Sequence, residues 1–257
     1  MKCPFVPLFS VLFLSTTFGG GAFASDIVVT ATTDDGSVGT LRWAINQANL
    51  SAGNRIVFNV APGGLITISP TSQLPRITQP TTIDATTQPG YTGTPLVELN
   101  GAGAGSSSSG LFISADGCAV RGLAIGRFAL DGIELYQAGT ATIDHNHLGT
   151  DPTGTSAAGN LRFGLYCVNS AGNQIHDNLI SGNETGIRMD SSGSTGNHVY
   201  ANRIGTDITG MQPIGNHEGS PFCSDRPTTL SEATRLKRGT SSPEIASNLV
   251  SATPAVE

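Results

Sequence analysis

The sequence predicts an all-β fold, a right-handed parallel β-helix in which short strands stack coil upon coil. Only 12% of the 257 residues are charged, whereas 33 are glycine, which is typical of β proteins with many turns. Short segments alternate apolar and polar residues, and they return about every 22 residues, as the coils of a solenoid do. The net charge of −6 argues against nucleic-acid binding, which needs a basic patch.

A long repeat supports this fold. Residues 143–160 align without a gap to residues 199–216, at an offset of 56, with eight of 18 positions identical. A shorter unit begins with glycine and an alternating strand, and it recurs at spacings of 22, 32 and 22 residues, at Gly110, Gly132, Gly164 and Gly186. The longer interval contains a loop that opens with Gly-Thr-Asp and closes with Gly-Asn. We therefore expect about three short strands in each coil.

Two further sets of apolar residues follow the glycine strands at matching intervals and predict the second and third strands of each coil. They are Val120, Ile143, Ile175 and Val199, and then Ile125, Leu148, Ile180 and Ile204. Between these strands, Asn146, Asn178 and Asn202 occupy one equivalent position. Stacked about 4.8 Å apart, their amides are expected to hydrogen-bond from coil to coil, and asparagine also tolerates a left-handed turn there.

The N-terminal part predicts a cap over the open end of the solenoid. Residues 25–55 contain an amphipathic helix with apolar residues at Leu41, Ala44, Ile45 and Ala48. Thr40 is the expected N-cap and Gly53 the expected C-terminal stop. A strand at residues 27–30 is expected beside the helix. The β-helix coils are then assigned to residues 56–216, with looser early strands near residues 56, 66, 82 and 97.

The two ends of the chain are expected to lie outside this domain. Residues 1–24 resemble a secretory signal peptide, with Lys2, an apolar segment and a small-residue cleavage site at residues 22–24. A secreted or cell-surface location follows, with no membrane span after signal removal. Residues 217–257 lose the glycine and asparagine pattern, and we expect a poorly ordered tail or the result of a truncated or shifted reading frame.

The cysteines do not predict a disulfide framework. Cys118, Cys167 and Cys223 remain after signal removal, an odd number for an exported protein. We expect Cys118 and Cys167 to fill the apolar core on different sides of the coil.

The outer face of the glycine-initiated sheet presents the candidate site. Alternation places one outward row at Phe112, Glu134, Tyr166 and Arg188, and the next at Ser114, Tyr136, Val168 and Asp190. Aromatic rings can stack on sugar rings, and an arginine can hold a uronate carboxylate. The predicted glycan-binding residues are therefore Phe112, Glu134, Tyr136, Tyr166, Arg188 and Asp190. Glu134 and Asp190 are weak candidates for an acid–base pair, and all of these side chains are also compatible with an ordinary solvated sheet.

No metal site is predicted, and no cofactor is expected. His145 and His147 share a strand face at i and i+2, but no third ligand converges on them. Asp151 and Asp207 open the two long loops, where the alternatives are calcium binding and an Asx-type turn, and the turn is favoured. On the second sheet, Arg121 and Asp144, and then Asp144 and His176, are expected to pair across coils, in an outward row that ends at Tyr200.

Residues 34–49 resemble the N-terminal capping module of large secreted bacterial β-helix proteins, whose signature is DSGxGSLRxAIxxAN. Here the segment reads Asp-Asp-Gly-Ser, then Gly-Thr-Leu-Arg, then Ala-Ile and Ala-Asn. The Gly-Thr-Asp loops and residues 81–91 are similar to coils of the same proteins. The resemblance implies the pectate-lyase-like superfamily, in which most such members have no assigned activity, and it does not by itself imply a reaction.

The function expected from these observations is structural or adhesive, with polysaccharide binding on the outer face of the glycine-initiated sheet. One alternative is a β-helix enzyme that acts on polysaccharides as a lyase, hydrolase or epimerase. Another is a truncated remnant without a function of its own. The partner expected in the first two cases is an extracellular polysaccharide, and no nucleic acid is expected.

Overall fold

The computed structural model describes residues 25–216, together with the backbone of two short strands further on. One α-helix, α1 (Leu41–Ala48), follows the first strand. Two single-turn 3₁₀ helices occupy Ala85–Thr87 and Gly101–Gly103. The remaining regular structure consists of short strands, numbered along the chain.

The strands form three sheets that run along the length of the solenoid. Sheet A contains β1 (Asp26–Val29), β2 (Asn54–Phe58), β4 (Thr81–Asp84), β7 (Ala119–Arg121), β10 (Thr142–Asp144), β13 (Gln174–His176) and β16 (His198–Tyr200). Sheet B contains β3 (Ile66–Ile68), β5 (Val97–Asn100), β8 (Leu123–Gly126), β11 (His147–Leu148), β14 (Leu179–Ile180), β17 (Arg203–Ile204) and β18 (Thr228–Thr229). Sheet C contains β6 (Leu111–Ile113), β9 (Ile133–Tyr136), β12 (Phe163–Val168), β15 (Thr185–Asp190) and β19 (Ser251–Ala252).

Neighbouring strands in each sheet come from successive coils and pair in parallel, apart from the antiparallel pair of β17 and β18. The predicted second-strand set is in register, with Val120 opposite Ile143, Ile143 opposite Ile175 and Ile175 opposite Val199. The third-strand set is likewise in register, ending with Ile180 opposite Ile204. The fold is therefore a parallel β-helix, as the repeat predicts.

The core lies between the three sheets and consists of the inward aliphatic residues of every coil. Cys118 and Cys167 are buried there as free thiols, as predicted, and burial raises the pKa of Cys167 to about 12. The glycines that begin the sheet C strands are required by close backbone contact. A Cβ atom on Gly164 would lie 2.7 Å from the carbonyl oxygen of Gly186, closer than real Cβ atoms approach.

Asparagine ladders join the coils at the corners. The predicted ladder exists, since Asn178 Oδ1 accepts from the backbone N–H and the side-chain amide of Asn146, at 3.0 and 3.1 Å. Asn202 binds Asn178 in the same way. The residue before each of these three has a left-handed backbone, with φ between 54° and 57°. The asparagine thus satisfies backbone groups that the turn leaves unpaired.

Two more ladders stand at the other corners, and the sequence analysis missed them. Between sheets B and C, Asn160 binds Asn183 and Asn183 binds Asn216. Between sheets C and A, Asn173 binds Asn197. All three corners therefore use the same amide-to-backbone contact.

The N-terminal helix forms as predicted, with one correction. Thr40 is the N-cap and accepts from the backbone N–H of Trp43 at 3.2 Å, and the four predicted apolar residues are buried in the core. The C-cap is Asn49 rather than Gly53. Gly53 has φ of 82° and donates its N–H to the carbonyl of Pro80, so its conformation serves the turn into β2. The predicted first strand is β1, which pairs in parallel with β2.

The predicted signal peptide at residues 1–24 lies outside the described residues. So does most of the out-of-pattern tail at residues 217–257, including Cys223. Among the residues that are described, no helix has the length and apolarity that a membrane span requires.

Candidate functional site on the outer face of sheet C

The two outward rows predicted for sheet C are in register. Phe112 lies opposite Glu134, Glu134 opposite Tyr166, and Tyr166 opposite Arg188. In the second row, Tyr136 lies opposite Val168 and Val168 opposite Asp190. These side chains are half-buried, whereas the alternate residues of the same strands are core residues. The predicted rows therefore form one continuous surface.

The first row extends one coil further than the sequence analysis recognised. Ile77 forms an isolated parallel bridge with Ile113, which places Arg76 in register with Phe112. The side chain of Asn49 fixes this segment, donating to the carbonyl of Arg76 at 2.7 Å and accepting from the N–H of Thr78 at 2.8 Å. The row from Arg76 to Arg188 then spans five coils, or about 19 Å.

The guanidinium of Arg76 packs against two aromatic residues at the N-terminal end of this surface. Its guanidinium carbon lies 4.4 Å from the ring centre of Phe112 and 5.3 Å from that of Tyr136. The two rings contact each other edge to face, with centres 6.2 Å apart. Arginine stacking of this kind favours a fixed side-chain geometry.

A second arginine packs against the next pair of aromatic rings. Arg162 lies 4.9 Å from the ring centres of both Phe163 and Tyr166. Asp131, which is fully buried, binds Arg162 through both carboxylate oxygens at 3.0 and 2.6 Å. The same carboxylate accepts the backbone N–H of Phe163 at 3.2 Å. Asp131 thus orients Arg162 and, through it, the aromatic pair.

Glu134 lies beside this buried pair. Burial raises the pKa of its carboxyl, and the negative charge of Asp131 raises it further. Ser109 Oγ donates to Glu134 Oε2 at 3.4 Å. A raised pKa makes a carboxyl group a better candidate for a proton donor than an ordinary glutamate.

Asp190 has a different environment. Its carboxylate accepts from the hydroxyl of Tyr166 at 3.0 Å and from the guanidinium of Arg188 at 2.7 Å. Glu134 and Asp190 belong to coils separated by one intervening coil, so about 10 Å of stacking separates them along the axis. The structure therefore keeps the two candidate carboxyls in separate hydrogen-bond networks.

The row on sheet A is in register, but one of its predicted ion pairs is wrong. Arg121 Nη2 lies 3.4 Å from Asp144 Oδ1, so this ion pair forms as expected. The Nδ1 atom of His176, however, contacts Asp177 at 2.9 Å instead of Asp144, and its ring stacks on Tyr200 with centres 4.9 Å apart. The left-handed backbone of Asp177 brings that nearby carboxylate within reach of the imidazole.

His145 and His147 do not share a strand face, contrary to the sequence analysis. His145 occupies the left-handed corner position between β10 and β11, is exposed, and contacts Asp144 at 2.8 Å. His147 lies in β11 and is buried, near the backbone oxygen of Asp151. Across residues 25–216, no three histidine, cysteine or acidic side chains gather as a metal site would require.

The long loops use their aspartates internally. Asp151 Oδ1 accepts the backbone N–H groups of Thr155 and Ser156 at 3.0 and 2.9 Å, and Thr153 donates to Oδ2. Asp207 closes the second loop in the same way, through the N–H groups of Met211 and Gln212. This geometry agrees with the turn interpretation, because loop donors occupy both carboxylates.

The strand order and the parallel register of these rows define a right-handed parallel β-helix protein. Residues 106–209 match the family model described as periplasmic copper-binding protein (NosD). The match covers the regular coils, and the family's periplasmic description agrees with the predicted secreted or cell-surface location. It does not reach residues 34–49, where the resemblance to a capping module stays a prediction. No curated protein matches the chain.

Among the described residues, no cluster of histidine, cysteine or acidic side chains fits a copper site. Copper favours histidine, cysteine and methionine ligands. Cys118 and Cys167 are buried in the core, where burial raises the thiol pKa values and opposes the thiolate form. The described histidines are scattered as single residues, two of them bound to neighbouring aspartates, so no step is assigned to a metal.

Proposed function

We propose that the protein is an exported β-helix that binds a polysaccharide along the outer face of sheet C, without cleaving it. The observation that supports this most strongly is the pair of aromatic clusters that each pack against an arginine, centred on Phe112 and Tyr166. Sugar rings stack on aromatic faces, and a surface about 19 Å long accommodates a short oligosaccharide segment. The polar groups between the rings supply hydrogen bonds to sugar hydroxyls.

Binding without cleavage is favoured because the two carboxyls are not paired for acid–base work. Asp190 is held by Tyr166 and Arg188, and it lies one coil beyond the strand next to Glu134. The carboxyls of glycosidases flank one bond, at separations of about 5 to 9.5 Å. The raised pKa of Glu134 is the observation that favours an enzyme, as the second candidate function.

The test is retention of the purified protein in native gels that contain acidic or neutral polysaccharides, with released oligosaccharide measured in parallel. We expect retention without product. The variants Phe112→Ala and Tyr166→Ala should lower affinity by about fivefold or more, since each removes one stacking face. Tyr200→Ala is the control, because Tyr200 is an exposed tyrosine on sheet A, away from the proposed binding face.

Three results would count against the proposal. A folded protein that no polysaccharide retains would overturn it, and so would equal losses in Tyr166→Ala and Tyr200→Ala. Product release that disappears in Glu134→Gln would replace it with the enzymatic alternative.

A further inference from the structure

We infer that Arg76 forms an anion subsite at the N-terminal end of sheet C, which selects polysaccharides bearing carboxylate or sulfate groups. This inference rests on the proposed function and adds the charge class of the ligand. It comes from a comparison of the arginines, because a guanidinium without a close carboxylate partner attracts an anion more strongly than one that is already paired.

Most arginines of the described region already have a carboxylate partner. Arg42, Arg55, Arg121, Arg127, Arg162 and Arg188 each form an ion pair within 4.0 Å. Within residues 25–216, Arg76 and Arg203 form none, and of these two only Arg76 lies beside sheet C. Arg203 is part of sheet B. Among the described arginines of the proposed binding face, Arg76 is therefore the one without an ion pair within 4.0 Å, and the charge of Glu134 acts on it from a greater distance.

The site around Arg76 is pre-organised for a planar anion. The ring of Phe112 supports the guanidinium at 4.4 Å, and Asn49 fixes the backbone on both sides of the adjacent residue. Stacking over a ring leaves the N–H edge of a guanidinium free to donate two parallel hydrogen bonds, the arrangement that carboxylate and sulfate oxygens accept. Tyr136, in contact with the same guanidinium, can stack on the sugar ring that carries the anion.

The negative net charge of the chain means that an anionic polysaccharide is not attracted by the protein as a whole. The chain has a formal net charge of −6, which repels polyanions at long range. Retention of an anionic polysaccharide must therefore come from a local contact. The side chains of the other two arginines on this face are engaged by Asp131 and Asp190, so Arg76 is the residue to provide that contact.

The experiment compares polymers that share a backbone but differ in charge, in the native gel format. Carboxymethylcellulose is compared with hydroxyethylcellulose, and dextran sulfate with dextran. We expect at least one charged polymer to retain the wild-type protein about tenfold more strongly than its uncharged counterpart, and the preferred pair identifies carboxylate or sulfate. Arg76→Gln should lose this preference, while Arg76→Lys, which keeps the charge without the fork, should keep part of it.

The matched control is Arg127→Gln, which makes the same change in charge at an arginine paired with Glu98 of sheet B. It should keep the preference. The thermal unfolding midpoint of each variant should equal that of the wild type, because both arginines are exposed.

The outcomes separate the two proposals. Equal retention of charged and uncharged polymers, or a preference that Arg76→Gln leaves intact or Arg127→Gln also removes, overturns the anion subsite but leaves polysaccharide binding standing. Failure of every polymer to retain the folded wild-type protein overturns polysaccharide binding itself.

Discussion

The corners of the coil repeat one residue type, whereas the outer face of sheet C changes its residue in every coil. Each corner stacks asparagines whose amides bind the next coil. The outward row instead reads Arg76, Phe112, Glu134, Tyr166 and Arg188. The difference teaches that the corners are constrained by unpaired backbone groups, while the face is free to present side chains to a ligand.

Removing one ladder residue should have the largest effect on stability. Asn178→Ala deletes the acceptor of Asn146 and the donor to the carbonyls of Ile143 and His176, and it leaves buried groups unpaired. We expect the free energy of unfolding to fall by about 3 kcal/mol, measured by urea denaturation.

The control for this variant is Asn59→Ala, at an exposed asparagine outside the ladders. Its free energy of unfolding should stay within about 0.5 kcal/mol of the wild type. Equal losses in the two variants would show that the ladder contributes nothing specific.

The glycine column of sheet C should be nearly as sensitive. The added methyl of Gly164→Ala would meet the backbone oxygen of Gly186 and the side chains of Ile180 and Asn183, all within 2.8 Å. We expect a loss of about 2 kcal/mol in the free energy of unfolding. Gly215→Ala is the control, because a Cβ there meets nothing within 4 Å. A Gly164→Ala variant as stable as Gly215→Ala would contradict the close packing of the coils.

A substitution at Asp131 tests whether one buried ion pair contributes both to stability and to polysaccharide binding. Asp131→Asn removes the charge that pairs with Arg162 and should lower the free energy of unfolding by about 1 to 2 kcal/mol, since Arg162 is partly exposed. It should also weaken polysaccharide retention, because Arg162 then no longer holds Phe163 and Tyr166 in place.

The control is Asp26→Asn, which breaks an exposed ion pair with Arg55 on sheet A. Neither stability nor retention should change by a measurable amount. If Asp131→Asn leaves retention unchanged although it is less stable, Asp131 is structural only.

His147 should make the free energy of unfolding depend on pH, by a smaller amount than the substitutions above. Burial lowers the pKa of its imidazole from the ordinary value of 6.5, so folding favours the neutral form. As the pH falls below about 6.5, the unfolded chain gains a proton that the folded one does not, and stability decreases. The decrease between pH 6.5 and 5.5 should be at most about 1 kcal/mol.

Urea denaturation at both pH values measures this effect. His147→Gln should flatten the dependence, whereas His145→Gln, which removes an exposed imidazole, should preserve it. A wild-type protein whose stability is the same at both pH values would contradict the buried neutral histidine.

The coil register was predictable from the sequence, because strand alternation and the constant repeat interval constrain it. The rows containing Tyr166 and Asp144 and the ladder through Asn178 are confirmed on these grounds. The expectation that His145 and His147 share a strand face assumed a continuous strand. It failed because His145 has φ of 57° and turns the chain between two strands.

The residues that were missed lie where the repeat is irregular. Arg76 belongs to a segment without strand alternation, and only the bridge between Ile77 and Ile113 reveals its register. Asp131 precedes a glycine strand at a position where other coils have serine, phenylalanine or threonine. The one indication in the sequence was that a charged residue occupies this position, before the glycine that begins the strand. Its partner Arg162 lies 31 residues further along the chain, so local periodicity does not show the pair.

The most direct test of the binding face is hydroxyl-radical footprinting of the wild-type protein, with and without a polysaccharide that retains it. The account predicts that oxidation of Phe112, Tyr136 and Tyr166 decreases when the polysaccharide is bound. Tyr200 and His176 on sheet A serve as internal references and should be oxidised equally in both samples. Protection of Tyr200 with no protection of Tyr166 would contradict the central claim that sheet C is the surface that binds.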